Sequence, residues 1–237
     1  MPEHSRNTTD DLVNAVIPLQ DSTELIQVGE NLSATQVDDL KELIQAYRAV
    51  FAMDGKLGRT NLVEHSIELV PNATPFKEPI RRHPIAHEME AKRQIAQILE
   101  SGVIEESKAP WASEYVMVKK KNGQWRLCVD FRKLNNLTKK NVYPLPNAEA
   151  CLETLSNNKY FSKLDFASGY WQVPIERKSR ELTSFRANDG LYQFEVMPFG
   201  LTNAPASFQK LMNALFSGLK GVNLQIFLDD ICIATES

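Results

Sequence analysis

Three stretches of the chain place apolar, strand-forming residues on both sides of a turn, the pattern of a β-hairpin. The first, "EYVMVKKKNGQWRLCVDF", turns at Asn122-Gly123, a pair suited to a two-residue turn because both positions accept positive φ. Along its second strand Trp125, Leu127 and Val129 face one way, and Arg126, Cys128 and Asp130 the other. The second, "LTSFRANDGLYQFEVM", turns at Asn188-Asp189-Gly190. The third, "NLQIFLDDICIAT", sets the apolar runs Leu224 to Leu228 and Ile231 to Ala234 around Asp229-Asp230, which the pattern puts at the tip. "HSIELV" (His65 to Val70) reads as a short strand, and "KYFSKLD" as another that ends on Asp165 before a Ser-Gly turn.

Between these lie segments of helical period. "LSATQVDDLKELIQAYRAVF" opens with Ser33 and Gln36 in capping-box spacing and carries Val37, Leu40, Ile44, Tyr47 and Phe51 on one stripe. Ala86 to Ser101 has Met89, Ile95, Ile98 and Leu99 apolar and Gly102 as its stop. Pro146 can open a helix running to about Leu155. "TNAPASFQKLMNALFSGL" is a helix capped near Thr202 or Asn203, with Phe208, Leu211, Met212 and Leu215 inward and Gly218 ending it. Strands in mixed order with helices between them, closing on a hairpin, indicate an α+β fold with helices on one face of the sheet. Residues 1–30 read as a disordered tail, residues 31–84 as an acidic linker region with one amphipathic helix, and residues 85–237 as the folded body.

Charge sharpens this division. Residues 1–79 hold 6 Lys/Arg against 13 Asp/Glu, whereas residues 80–237 hold 21 against 17. Eight basic residues and one acid fall within Lys119 to Lys140, so a net charge of −3 conceals a cationic patch suited to tracking phosphates. Three cysteines (Cys128, Cys151, Cys232) without a C-x-x-C pair suit buried residues of a reducing compartment rather than a disulfide framework. No signal peptide or membrane-length apolar run occurs, which implies a cytoplasmic protein without a membrane partner.

The chemistry is in the acids. Asp165 ends an apolar strand, and Asp229 and Asp230 sit on an apolar hairpin; if those strands are neighbours, three carboxylates meet at one edge. They could not all stay ionised there without a cation. Hard oxygen donors with no nearby histidine or thiolate favour Mg²⁺ or Mn²⁺. Two such ions would form the clamp used for in-line phosphoryl displacement. His83 and His87 stand four apart, but Pro84 interrupts the helix between them, which favours a structural role.

Taken together, "QWRLCVDFRKLN", "FSKLDFASGYWQV", "GLYQFEVMPFGLTNAPASFQ" and "FLDDICIAT" resemble the successive motifs of a reverse transcriptase. The likeness is to the pol polyprotein of gypsy-class LTR retrotransposons and runs from about Ala86 to the end; the acidic segment with "EHSIEL" and "RRHP" resembles what precedes the polymerase there. The resemblance implies the fingers and palm of a right-hand polymerase with an antiparallel palm sheet. It also implies a chain that stops short of thumb and RNase H. The implied activity is template-directed DNA synthesis by two-metal nucleotidyl transfer, on a primed RNA or DNA template with dNTPs, in the cytoplasm or a virus-like particle.

Residue by residue, it implies that Asp165, Asp229 and Asp230 are catalytic and hold two Mg²⁺ ions, with the backbone carbonyl of Phe166 as a further ligand. Lys120 and Arg126 match residues that grip the triphosphate. Tyr170 matches the aromatic that stacks under the sugar and excludes a 2′-hydroxyl; Phe199 and Gly200 match the loop beside the base. Trp171 is expected to pack in the core, and Gln209 could touch template or be solvated. The sequence departs from the family pattern at Leu182, where lysine is usual, and at Phe227, where tyrosine is. Two other readings are a non-catalytic nucleic-acid-binding relic and an RNA-directed RNA polymerase; a bulky Tyr170 argues against the latter.

Overall fold

The computed structural model describes residues 28–29, 32–51, 57–79, 81–120, 122–144, 146–156, 158–187, 190–219 and 223–236. The tail expected over 1–30 therefore lies almost wholly outside the described residues, as do Lys121 and the Asn188-Asp189 turn. The chain divides into two compact units, residues 1–58 and 59–237. In the first, α1 (Ala34–Ala46) carries the expected capping box: Gln36 N donates to Ser33 Oγ at 3.3 Å, and Ser33 N to Gln36 Oε1 at 2.9 Å. The expected helix to Phe51 instead ends at Ala46, followed by one 3₁₀ turn at Arg48–Val50.

The second unit is built on two sheets. Its elements are α2 (Ile85–Glu100), β1 (Ile104–Glu106), β2 (Ser113–Lys119), β3 (Trp125–Asp130), α3 (Arg132–Leu137), α4 (Ala148–Leu155), β4 (Tyr160–Asp165), α5 (Arg177–Arg180), β5 (Phe185–Ala187), β6 (Gly190–Phe194), α6 (Ala204–Leu215), β7 (Leu224–Phe227) and β8 (Asp230–Thr235). Five strands form a mixed sheet in the order β1-β6-β5-β2-β3, with β2 and β5 parallel. The other three form an antiparallel sheet, β4-β8-β7. Phe131, Leu134, Phe185, Phe208 and Met212 are among the fully buried side chains between these layers.

Local chemistry explains most element ends. α2 stops because Gly102, at φ +67°, turns left-handed and Val103 N returns to Ile98 O at 2.9 Å. Lys119 pairs with Trp125 at the mouth of the first hairpin, and Gly123 takes φ +85°. α6 departs from expectation at its start. Asn203 is its N-cap residue yet caps nothing; its side-chain amide donates to Lys139 O (2.8 Å) and accepts from Asn141 N (2.9 Å). The amide serves an incoming loop and leaves the helix to Pro205 near its first turn.

"HSIELV" is not a strand. It belongs to a proline-rich strap, residues 59–79, whose backbone pairs one residue at a time with several different elements. Thr60 N donates to Gln172 O (2.8 Å), His65 N to Pro174 O (2.8 Å) and Val70 N to Leu137 O (2.8 Å); Ala112 N donates to Phe76 O (2.9 Å). No single partner runs alongside for long enough to make a ladder; the bridges at His65 and Leu69 are isolated. The three cysteines are free and half-buried. No helix among the described residues is long and apolar enough to cross a membrane.

His65 anchors the strap. It is 1% exposed, its Nδ1 lies 2.8 Å from Ser207 Oγ on α6, and burial lowers its pKa to about 4. A depressed histidine adds stability above its unfolded value of about 6.5, lost as pH falls through 4 because the unfolded chain takes the proton first. Folding stability should drop by about 3 kcal/mol over that window. His65→Gln should flatten this part of the profile, as urea titrations from pH 7.5 to 4 would show.

Candidate active site

The carboxylates arrive from two strands and a turn. β4 and β8 pair antiparallel from Tyr160↔Thr235 to Asp165↔Asp230, so the last residue of one strand faces the first of the other. The β7–β8 turn is tighter than the sequence suggested. Phe227 pairs with Asp230, leaving Leu228 and Asp229 as the two tip residues, so Asp230 is in the strand and Asp229 in the turn. Leu228 takes φ +56°, as the first tip residue of a primed turn must. A branched apolar residue pays strain there that glycine would not. This places Asp229 under cover, 8% exposed, while Asp230 stays half-open and pairs with Lys163 Nζ at 3.0 Å.

Lys163 lies two residues before Asp165 and so on the same face of β4, a signal present in the period-two pattern that the motif reading passed over. Its ammonium supplies positive charge to the acids. Even so, burial, then the charges of Asp229 and Asp230, raise the pKa of Asp165; burial chiefly raises that of Asp229. Asp165 sits on an exposed strand, whereas Asp229 is 8% exposed. Among the described residues no group of three or more His, Cys, Asp or Glu side chains is drawn together as a ready-made metal cage. His83 stacks on Tyr115 (4.4 Å) and lies 3.6 Å from the buried Glu114 carboxylate; His87 packs on Trp125 (4.0 Å).

Beyond Asp165 the chain turns sharply. Ser168 is left-handed at φ +46°, and a Cβ on Gly169 would meet Phe208 at 2.8 Å and Phe166 at 2.9 Å, so only glycine fits. The turn seats Phe166 edge-on against Phe208 (5.7 Å) and buries Tyr170, 7% exposed, between Phe208 (5.2 Å) and Phe199 (5.0 Å). Burial, then the charge of Asp229, pushes the Tyr170 pKa up to about 12, so the phenol stays neutral. Trp171 packs against the core as expected.

The basic hairpin supplies the facing wall. Lys120 N bonds Gln124 O at 2.7 Å, and burial followed by Arg126 lowers the lysine pKa. Arg126 Cζ lies 5.5 Å over the Phe199 ring. Gly200, at φ +93°, lets the loop pass Phe131, and Asn135 holds it by donating to Gly200 O (2.8 Å) and accepting from Thr202 N (2.9 Å). Nothing in the local pattern marks Asn135, whose partners lie 65 residues away or more. Gln209 is 2% exposed rather than solvated, its amide donating to Asn213 Oδ1 at 3.0 Å.

A three-stranded antiparallel sheet bearing paired acids, faced by a basic hairpin from a second sheet, has the architecture of a right-hand polymerase's palm and fingers. Solved structures agree. The native foamy virus protease–reverse transcriptase superposes with a TM-score of 0.79 at 24% identity, over 95% of this chain and 30% of that one. The same protein in complex with an RNA/DNA hybrid gives 0.78 at 22%, over 87% and 28%. Residues 118–237 match the reverse transcriptase (RNA-dependent DNA polymerase) family, and the chain belongs to that family.

Its relatives include the retrovirus-related Pol polyproteins of the Drosophila melanogaster transposons 297 and opus. Each is 33% identical to it, over 88% and 89% of this chain and 20% and 22% of theirs. The Tf2-3 transposon polyprotein of Schizosaccharomyces pombe is 35% identical over 74% of this chain and 13% of its own. These names fit a gypsy-class LTR retrotransposon, and the chain spans about a fifth of the length of the Drosophila relatives.

Because the fold raises the pKa of Asp165 and Asp229, it bears a cost for keeping them ionised. The protonated forms stabilise the fold below the ordinary carboxylate range, and that advantage is lost as pH rises through the elevated folded values. Asp229→Asn and Asp165→Asn should therefore raise the melting temperature at pH 7 without divalent ions, on the order of 2 °C for Asp229. The gain should vanish near pH 3.5. Thermal melts at both pH values would check this; a lower melting point at pH 7 would contradict it.

Proposed function

We propose that this segment performs template-directed DNA synthesis within a retrotransposon polyprotein. It would bind a primed RNA or DNA template and dNTPs, and act in the cytoplasm or a virus-like particle. The observation that carries this reading is the Asp165↔Asp230 pairing with Asp229 in the adjoining turn, set beside a buried Tyr170. In this reading residues 85–237 are fingers and palm, and residues 31–84 the acidic region ahead of them.

The donor set suits hard divalent cations: carboxylates on one sheet edge, with positive charge already drawn to Asp230. Asp165, Asp229, Asp230 and the Phe166 carbonyl would hold two Mg²⁺ ions, or Mn²⁺. When bound, they would supply Lewis-acid activation of the primer 3′-hydroxyl and charge neutralisation at the leaving pyrophosphate. The rest of the work falls to the chain's own groups. Lys120 and Arg126 grip the triphosphate, one as a point charge and one as a planar fork. Tyr170 meets the sugar. Its ring is backed by Phe208, so it cannot retreat to admit a 2′-hydroxyl. Gly200 brings backbone, with no side chain, beside the base.

Asp229→Asn should abolish Mg²⁺-dependent primer extension by the polyprotein that carries this segment; extension at the parental rate would overturn the reading. Tyr170→Ala should raise ribonucleotide incorporation relative to deoxyribonucleotide by about tenfold or more. Unchanged discrimination in single-nucleotide kinetics would remove Tyr170 from this role.

A further inference from the structure

Two groups assigned to the incoming nucleotide, Arg126 on β3 and Tyr170 in the turn beyond β4, are both engaged with one residue, Phe199. Its ring contacts both. Arg126 sits over it at 5.5 Å, and Tyr170 stacks on it at 5.0 Å with the planes 16° apart. A guanidinium within about 6 Å of a ring centroid is held by the ring's quadrupole, and offset-stacked rings add to that. Tyr170, the ring meant to meet a sugar, is 7% exposed, with Phe208 against it at 5.2 Å and Phe199 stacked on it. The column Arg126–Phe199–Tyr170 thus ties the mixed sheet to the turn beyond β4 through a flat apolar ring, the shape of the base that would enter.

We infer that Phe199 is an internal gate: it fills the slot between Arg126 and Tyr170, and a deoxynucleoside triphosphate binds by displacing it. The neighbouring residue allows this. Gly200 is exposed at φ +93°, and its carbonyl is held by Asn135, so Phe199 can swing about a fixed pivot while the loop beyond stays in place. Competition follows from geometry, because a guanidinium committed to a ring face is not committed to phosphates. Apparent affinity is then the intrinsic affinity reduced by the fraction of molecules with the gate open. The inference rests on the reading of this site as a deoxynucleotide site and adds the element that regulates entry to it.

The test is equilibrium binding of a fluorescent dNTP with Mg²⁺ and a hairpin primer–template whose 3′ end is dideoxy, so that no chemistry occurs. Phe199→Leu removes the ring but keeps an apolar side chain, and should lower the Kd for the template-matched dNTP about fivefold. Phe199→Tyr keeps the ring and should bind within about twofold of the parent. Melting curves check that the leucine variant is folded, and Phe199→Met replaces it if it melts early. Matched dNTP bound by the parent, with unchanged or weaker binding in the ring-less variant, overturns the gate and leaves the polymerase reading intact. No preference for matched over mismatched dNTP in any of the proteins overturns both. Binding in the leucine variant but not in the parent supports the gate in its strongest form.

Discussion

The register between β4 and β8 is the constraint on which the site depends. Because side chains alternate along a strand, the pairing that sets Asp165 opposite Asp230 also sets Lys163 opposite Cys232 and Leu164 opposite Ile231. A one-residue shift of β4 would turn Asp165 to the far face, and the same shift taken by β8 would carry Ile231 out of the core. The buried Ile226 and Ile231, cross-strand partners on one face, therefore do more than fill space. They are the apolar cost of a wrong register, and the acids inherit their placement from it.

The strap acts at longer range. By bonding to Gln172 and Pro174 beyond the carboxylate turn, to Leu137 at the end of α3, and to Ala112 before β2, residues 59–79 reach both the acid-bearing turn and the start of the basic hairpin. Ile67 N adds a buried bond to Ser179 Oγ at 3.0 Å. The strap thus makes the separation of the basic hairpin from the acids a property of one continuous backbone, rather than of side-chain packing alone. A neutral His65 at the Ser207 hydroxyl closes that connection from within the core.

What could be read from the sequence follows from how far each interaction reaches. The first hairpin, the α2 stop at Gly102 and the α1 capping box are set by residues a few positions apart, and their chemistry is visible in a short window. So were the acids, because adjacent charges on an apolar hairpin break a local rule. The strap was not, since its partners lie about 30 to 140 residues away and proline-rich segments carry no period. The turn at the acids was misplaced by one residue for a different reason. Sequence preference assigns positive φ to Asn, Asp or Gly, whereas the fold imposes it on Leu228 and so releases Asp230 into the strand. The local pattern leaves Gln209 between template contact and solvent, since polar residues at helical spacing usually face outward; here it is buried in α6.

Several features that oppose folding lie at this sheet edge. Leu228 and Ser168 are two of the three non-glycine residues at positive φ among those described, and each lies next to a carboxylate-bearing strand. Asp165 holds charge against desolvation and against Asp229 and Asp230, and Asp229 holds it chiefly against desolvation. Strained dihedrals cost on the order of 1–3 kcal/mol each and persist only where the surroundings over-determine them. Here the surroundings are Phe208 and Phe166 on one side and the β4–β8 ladder on the other. A fold selected for stability alone would relax all four features by substitution, with glycine at the turns and amides at the acids. That it keeps them together, on one edge held by Phe208, Phe166 and the β4–β8 ladder, is a physical argument for function that does not depend on resemblance.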